Sequence, residues 1–144
     1  MRGRNRLVRI TSALLIFGCL LTVLRADLAG QLAGRWVMTD ESVALGDEKN
    51  PAGFVISRVV PADSGWSDGS FSLTWAGEAV AARGYFSQGT GRIWVTTRRF
   101  IDGRSQQVEY RGTLKEDGTV RWAGTASTTN ATPRTAWSFV ATRD

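Results

Sequence analysis

The side chains in this chain that are able to do acid–base or metal chemistry are few. The sequence has no histidine, and its single cysteine, Cys19, lies near the N-terminus. This excludes Ser-His and Cys-His nucleophile systems and the usual histidine or cysteine shells of zinc. Carboxylate chemistry remains, and a glycosidase would need two acidic groups about 5 to 10 Å apart across a cleft. The candidate carboxylates are Asp63, Glu78, Asp102 and Glu109.

These carboxylates also fit the description of turn residues and solvated sheet charges, so we predict no catalytic residue and no enzyme. A second acidic group, Asp40, Glu41, Asp47 and Glu48, follows the first predicted strand. It lacks the alternating Asp-x-Asp-x-Asp-Gly spacing of a calcium loop. The sequence therefore predicts neither a metal site nor a cofactor.

Aromatic side chains are the stronger candidates for a binding site, because alternation along several predicted strands turns them to one face. In an eight-stranded barrel the interior is just wide enough to be filled by side chains or to hold one small ligand. The same residues serve either outcome, and the sequence leaves both open. The predicted ligand-binding residues are Trp75, Phe86, Tyr110, Trp122 and Trp137. Trp66, in a segment rich in turn formers, is predicted to be a loop contact residue or a lid over the barrel.

Strands must position these rings, and period-two patterns predict about eight short antiparallel strands joined by hairpin-length turns. Sequential hairpins without a long return connection favour an up-and-down barrel over a Greek-key sandwich. We therefore predict an all-β fold, a single eight-stranded antiparallel barrel behind an N-terminal segment. On the strand at residues 92–101, two inward sets fit equally well: Ile93 with Val95, or Trp94 with Thr96.

The hairpin at residues 108–126 is the element whose strand pairing can be predicted in most detail from the sequence. Parity predicts a three-residue loop, Glu116-Asp117-Gly118, with Gly118 in a left-handed conformation. That register sets Tyr110 opposite Gly124 and Trp122 opposite Gly112. Each large ring would then lie across a glycine, as happens where barrel strands bend.

The basic character of the chain comes from its N-terminus. Residues 1–26 hold five of the 18 basic residues and none of the 13 acidic ones, so residues 27–144 carry 13 charges of each sign. A neutral folded part removes the electrostatic basis of non-specific nucleic-acid binding, and no nucleic-acid partner is expected.

Four arginines precede an apolar run from Ile10 to Leu24, which has the length of a signal-peptide core. We predict that residues 1–26 form a signal peptide cut after Ala26, or alternatively an uncleaved membrane anchor, and that residues 27–144 form the barrel domain. The protein is then exported, to a periplasm or to the outside. Membrane contact is expected only through an uncleaved N-terminal segment.

Arginines concentrate in the strands between residues 82 and 121. Several of them must share the outer face, where they could form a basic stripe for an acidic polymer or partner. The other interpretation is that they keep an outward sheet face soluble. These residues are Arg83, Arg92, Arg98, Arg99, Arg104, Arg111 and Arg121.

Two features resemble the calycin barrels, the family that includes lipocalins, avidins and small bacterial metalloprotease inhibitors. They are Gly34-Arg35-Trp36 at the start of the first strand and Arg143 at the close of the last. The resemblance implies that Trp36 plugs one barrel end and that Arg143 packs over it. Val37 and Met38 stand where the avidin pattern places polar ligand contacts, so the resemblance implies no biotin site.

We therefore expect an exported binding or interaction module that takes a small hydrophobic ligand or a protein partner. The alternative is a secreted or periplasmic protease inhibitor, in which residues 27–33 or a loop block the protease. A carboxylate-dependent hydrolase is the third hypothesis.

Overall fold

The computed structural model describes residues 28–41, 50–63 and 68–144. The predicted signal or anchor segment, Cys19, Asp47, Glu48 and Trp66 lie outside these residues. One short helix, α1 (Leu28–Leu32), precedes eight strands. The strands are β1 (Gly34–Glu41), β2 (Gly53–Val60), β3 (Gly69–Trp75), β4 (Ala82–Phe86), β5 (Arg92–Ile101), β6 (Arg104–Glu116), β7 (Val120–Thr128) and β8 (Ala136–Arg143).

The strands form one closed barrel in which each pairs antiparallel with its neighbours in sequence. Pairing of β8 with β1 completes the closure, so Trp36 lies opposite Arg143 and Met38 opposite Ala141. The prediction of an all-β, eight-stranded, up-and-down barrel is thereby confirmed. No helix among the described residues is long and apolar enough to cross a membrane.

The inward face of β5 is settled by the odd-numbered residues. Ile93, Val95 and Ile101 are buried together with Thr97 and Arg99. Because strand side chains alternate between faces, Trp94 and Thr96 belong to the outer face. One consequence is that a charged residue, Arg99, lies inside the barrel on the same strand face as Ile93, Val95 and Ile101.

The predicted pairing within the β6–β7 hairpin is wrong by two residues, although its parity is right. Gly112 pairs with Gly124, and Trp122 with Leu114, around a loop of residues 117–119. A Cβ atom on Gly124 would lie 2.0 Å from the carbonyl oxygen of Arg111. β6 and β7 thus approach so closely that only glycine fits at both positions of this pair. The Gly112–Gly124 contact therefore fixes the register of the hairpin. Gly118 has a positive φ of 90°, as predicted.

The Trp122 ring still lies against Gly112, where a Cβ would stand 2.8 Å from the indole nitrogen, and a ring lies across its paired glycine on the β3–β4 hairpin. Phe71 pairs with Gly84, and Gly69 with Phe86, across β3 and β4. A Cβ on Gly84 would lie 2.1 Å from the Phe71 ring. These two glycines therefore leave space inside the barrel for the Phe71 and Phe86 rings.

One end of the barrel is covered by α1, whose Leu28 and Leu32 are buried. The indole nitrogen of Trp36 donates to the Leu32 carbonyl at 2.8 Å, which fixes the helix against the first strand. The Arg143 guanidinium lies beside Gly34, with Nε 3.3 Å from where a Cβ would stand. The sequence did not predict a helix here, because five residues are too few to show helical periodicity.

Candidate functional site

A group of polar and aromatic side chains meets inside the barrel at the end opposite α1. This end is called the mouth, because β1, β3, β5 and β7 finish there and β2, β4, β6 and β8 begin there. The group combines one ion pair with two indoles, a phenol and a hydroxyl. The mouth cluster consists of Glu41, Trp75, Thr97, Arg99, Tyr110 and Trp137.

Arg99 is the centre of the mouth cluster, and only 3% of its side chain is exposed. Its Nη2 donates to Oε1 of Glu41 at 3.0 Å, and its Nη1 donates to the Pro51 carbonyl at 2.9 Å. Its Nε is buried without a hydrogen-bond partner among the described residues. The guanidinium carbon lies 3.8 Å from the ring centroid of Trp75, a cation–π contact in a site shielded from water.

Glu41 receives three donors on one carboxylate. Besides Arg99, the indole nitrogen of Trp137 donates to Oε2 at 2.7 Å, and the Tyr110 hydroxyl donates to the same oxygen at 3.3 Å. Charge-assisted hydrogen bonds of this kind are stronger than neutral ones. The donors come from β5, β6 and β8, so the last residue of β1 is held by three other strands.

Two small or hydroxyl-bearing residues set the position of these rings. Ala126 pairs with Tyr110 on one side and with Trp137 on the other, and the two rings meet edge-on at 6.3 Å across it. The indole nitrogen of Trp75 donates to Oγ1 of Thr97 at 2.8 Å. The ring beneath Arg99 is thus fixed by a hydrogen bond as well as by packing.

Burial raises the pKa of the Tyr110 phenol well above its ordinary value, since the barrel interior disfavours the phenolate. The nearby Arg99 acts in the opposite direction, and the Glu41 carboxylate adds to the increase. Tyr110 is therefore a neutral hydrogen-bond donor in the folded protein at any physiological pH.

The chain entering β2 is fastened to the end of β5 beside this cluster. The Asn50 amide nitrogen donates to the Phe100 carbonyl at 2.7 Å, and its side-chain oxygen accepts from the Phe100 amide at 2.8 Å. With Pro51 held by Arg99, residues 50 and 51 are anchored at two points on β5.

The five predicted site residues all point inward, and four of them meet around one ring. The ring centroid of Tyr110 lies 6.4 Å from that of Trp75, 6.2 Å from that of Trp122 and 6.3 Å from that of Trp137. Trp75, Tyr110 and Trp137 belong to the mouth cluster. Trp122 lies deeper, with its ring 4.8 Å from Phe139, and Phe86 packs 6.5 Å from Phe71 under β3 and β4. All five are at most 4% exposed.

The acidic candidates do not gather into a site. Asp63, Glu78 and Asp102 are exposed, and Glu109 pairs with Arg111 on the outer face. Within the described ranges, no three histidine, cysteine, aspartate or glutamate side chains are placed to hold a metal.

Sequence reasoning did not assign Glu41 or Arg99 to a binding site. It weighed Glu41 only among the acids of a possible calcium loop and grouped Arg99 with the arginines of a possible outer stripe, whereas the Arg99 side chain is buried inside the barrel. The signal was present on β5: choosing Ile93 and Val95 as inward residues also turns Thr97 and Arg99 inward. Glu41 carries no comparable signal, because it stands at a strand end among several acids.

A second group lies on the outside of β4, β5 and β6. Tyr85 and Trp94 are cross-strand partners whose rings stack at 6.0 Å and 27°. The Arg83 guanidinium lies 5.7 Å from the Tyr85 ring, and Arg111 pairs with Trp94 across β5 and β6. The outer patch consists of Arg83, Tyr85, Arg92, Trp94 and Arg111.

Comparisons with known proteins find no matching family model, no similar curated protein and no similar solved structure. The closed eight-stranded barrel is compatible with a calycin-like fold. The functional interpretation therefore depends on the geometry of the two groups.

Proposed function

We propose that this protein is an exported, non-enzymatic binding module of calycin type whose small-ligand site is the mouth cluster. The observation that carries the proposal is the Arg99–Glu41 pair, whose side chains are only 3% and 11% exposed in a barrel lined mainly by apolar and aromatic residues. Desolvating two charges costs several kcal/mol per ion, and apolar residues of the same size often give an equally stable core. A charged pair at a barrel end is therefore better explained by binding than by folding.

The ligand class follows from the donors. Arg99, Tyr110 and Trp137 converge on one carboxylate, and aromatic rings surround it. Ligand sites generally combine an apolar lining with a few convergent polar groups. The suited ligand is a small hydrophobic molecule with one acidic head, which takes the position of the Glu41 carboxylate as that side chain swings out. Trp75 lines this site, and Trp122 and Phe86 would contact only a ligand that reaches deeper.

Tryptophan fluorescence of the full chain tests the proposal, with medium-chain fatty acids, a porphyrin and neutral sugars as probes. We expect saturable quenching by fatty acids and none by neutral sugars. The double variant Glu41→Leu/Arg99→Met keeps the volume of the pair and removes the charge that receives the acid, so it should lose the quenching. Arg104→Gln, an exposed change, is the matched control. Tryptophan fluorescence that does not change with any of the probes would contradict the proposal.

The protease-inhibitor alternative remains a second prediction. Leu28 and Leu32 of the lead-in are buried against the barrel, so inhibition would use the remaining residues of 27–33 or a loop. Assays against a panel of secreted proteases, with the wild-type chain and with the lead-in deleted, decide it. No inhibition by either form counts against this function.

A further inference from the structure

The outer patch has the composition of a recognition surface and is separate from the mouth cluster. On its β5–β6 side it opens into a recess of about 560 Å³. The recess is lined by Arg92, Ile93, Trp94, Arg111, Gly112 and Thr113. One tryptophan and two arginines thus belong to its lining.

The register of three strands builds this arrangement. Tyr85, Trp94 and Arg111 form one row across β4, β5 and β6, and Arg92 and Thr113 form the next row. Neighbouring strands lie about 4.8 Å apart, and residues i and i+2 on one face lie about 7 Å apart. The two guanidiniums are therefore on adjacent rows beside one indole, within reach of the same bound ring.

The charges of the patch are available to a partner. Among the described residues, neither Arg83 nor Arg92 lies within ion-pair distance of a carboxylate. The Arg111 side chain is 72% exposed, and its Nε contacts the Glu109 carboxylate. Guanidiniums bind carboxylates and sulfates through two parallel hydrogen bonds, so the patch favours planar or tetrahedral anions.

We propose that the outer patch binds an acidic polysaccharide, with one sugar ring against Trp94 and its carboxylate or sulfate held by Arg92 and Arg111. The apolar C–H face of a pyranose packs flat on an indole, and Thr113 offers a hydroxyl to the sugar. Single-stranded nucleic acid also stacks on aromatic rings, but it needs a basic channel along its backbone. Residues 27–144 carry equal numbers of positive and negative charges, so the arginines of the outer patch form a local group and not a basic channel.

Equilibrium binding by the full chain tests the assignment with two acidic polymers, polygalacturonate for carboxylates and heparin for sulfates. Neutral dextran, poly-glutamate and a thymidine oligonucleotide are the comparison polymers. We expect at least one acidic polysaccharide to bind, the comparison polymers to bind at least about tenfold more weakly, and the affinity to fall with salt.

Variants locate the site. Arg92→Gln/Arg111→Gln should weaken binding about tenfold or more through loss of charge-assisted hydrogen bonds, and Trp94→Ala should do the same through loss of the ring. Arg104→Gln, an exposed arginine outside the patch, should change the affinity by less than about twofold. Glu41→Leu/Arg99→Met should also leave it unchanged, which separates this proposal from the one for the mouth cluster.

Three results would overturn the assignment. The first is that neither acidic polysaccharide binds. The second is that poly-glutamate or the oligonucleotide binds as tightly, which would indicate an acidic peptide or a nucleic acid as the partner. The third is that Arg104→Gln weakens binding as much as the patch variants do. Near-ultraviolet circular dichroism checks that each variant is folded. If Trp94→Ala does not fold, the arginine double variant still tests the site.

Discussion

The mouth cluster and the outer patch are built from the same side-chain types, an arginine and an aromatic ring beside a glutamate. In the mouth cluster the Arg99 side chain is 3% exposed and its guanidinium carbon lies 3.8 Å from the Trp75 ring centroid. One of its terminal nitrogens forms an ion pair with Glu41. In the outer patch Arg111 is 72% exposed, and Arg83 stands 5.7 Å from the Tyr85 ring. The two groups share the same side-chain types, but the mouth cluster lies in the low-dielectric interior and the outer patch lies in contact with water.

That difference decides how each arginine acts. Charge interactions strengthen as water is excluded, and the cost of leaving a charge unpaired grows in the same way. Arg99 is therefore bound to its partners in the absence of a ligand, whereas the outer arginines contribute little to stability and stay open to an external anion. Four measurements compare the two groups directly.

The largest expected contrast is between the two glutamates. Glu41→Ala leaves Arg99 buried without its counter-charge and should lower the free energy of unfolding by about 3–5 kcal/mol. Glu109→Ala, on the exposed pair, should cost less than about 1 kcal/mol. Urea denaturation measures both. Because the apolar pair Glu41→Leu/Arg99→Met removes both charges, it should recover most of the loss, and equal losses for the two alanine variants would contradict the comparison.

The two tryptophans should differ in the same direction. Trp75→Phe removes the donor to Thr97, whose hydroxyl is buried, and shrinks the ring beneath Arg99, so it should cost about 1–3 kcal/mol. Trp94→Phe keeps a ring on the outer face and should change stability by about 0.5 kcal/mol or less. Thermal or urea unfolding of the paired variants checks this. A larger loss for Trp94→Phe would show that the outer stack is structural.

Tyr110 should make stability depend on alkaline pH. Tyr110→Phe removes one donor to Glu41 and should cost about 1 kcal/mol near neutrality. Burial raises the pKa of the folded-state phenol above the unfolded value of about 10. The unfolded chain therefore releases this proton first, so the stabilisation is complete below about pH 10 and declines as the pH rises further.

Urea midpoints measured from about pH 8 to about pH 11 should fall more steeply for the wild-type chain than for Tyr110→Phe above about pH 10. Tyr85→Phe, a change on the half-exposed outer ring, is the matched control and should leave the steep fall in place. Parallel curves for the wild-type chain and Tyr110→Phe would show that the phenol is not shielded in the folded protein.

The smallest effect concerns the outer ion pair itself. A double-mutant cycle on Glu109 and Arg111 should give a coupling energy of about 1 kcal/mol or less. It should shrink further between about 0.1 M and about 1 M salt, where the screening length falls from about 10 Å to about 3 Å. The coupling of Glu41 with Arg99 should persist over the same range, because that pair is largely shielded from water and ions.

Much of the barrel was predictable because its signals are local. Alternation on β3, the bounds of β5, the turn at Asp102-Gly103 and the left-handed Gly118 all follow from a few neighbouring residues. The five aromatic residues chosen from the sequence do point inward, since alternation and size suffice for that prediction.

The pairing and the site were decided at longer range. In the β6–β7 hairpin, parity allowed registers two residues apart, and the close approach of Gly112 to Gly124 selected one of them. Glu41 and Arg99 are separated by 58 positions and meet only because the barrel closes. The sequence by itself determined which residues form strands and which rings fill the interior, because both depend on local period and volume. Only the tertiary structure decided which charge is buried and which faces solvent, because that depends on strand pairing around the whole barrel.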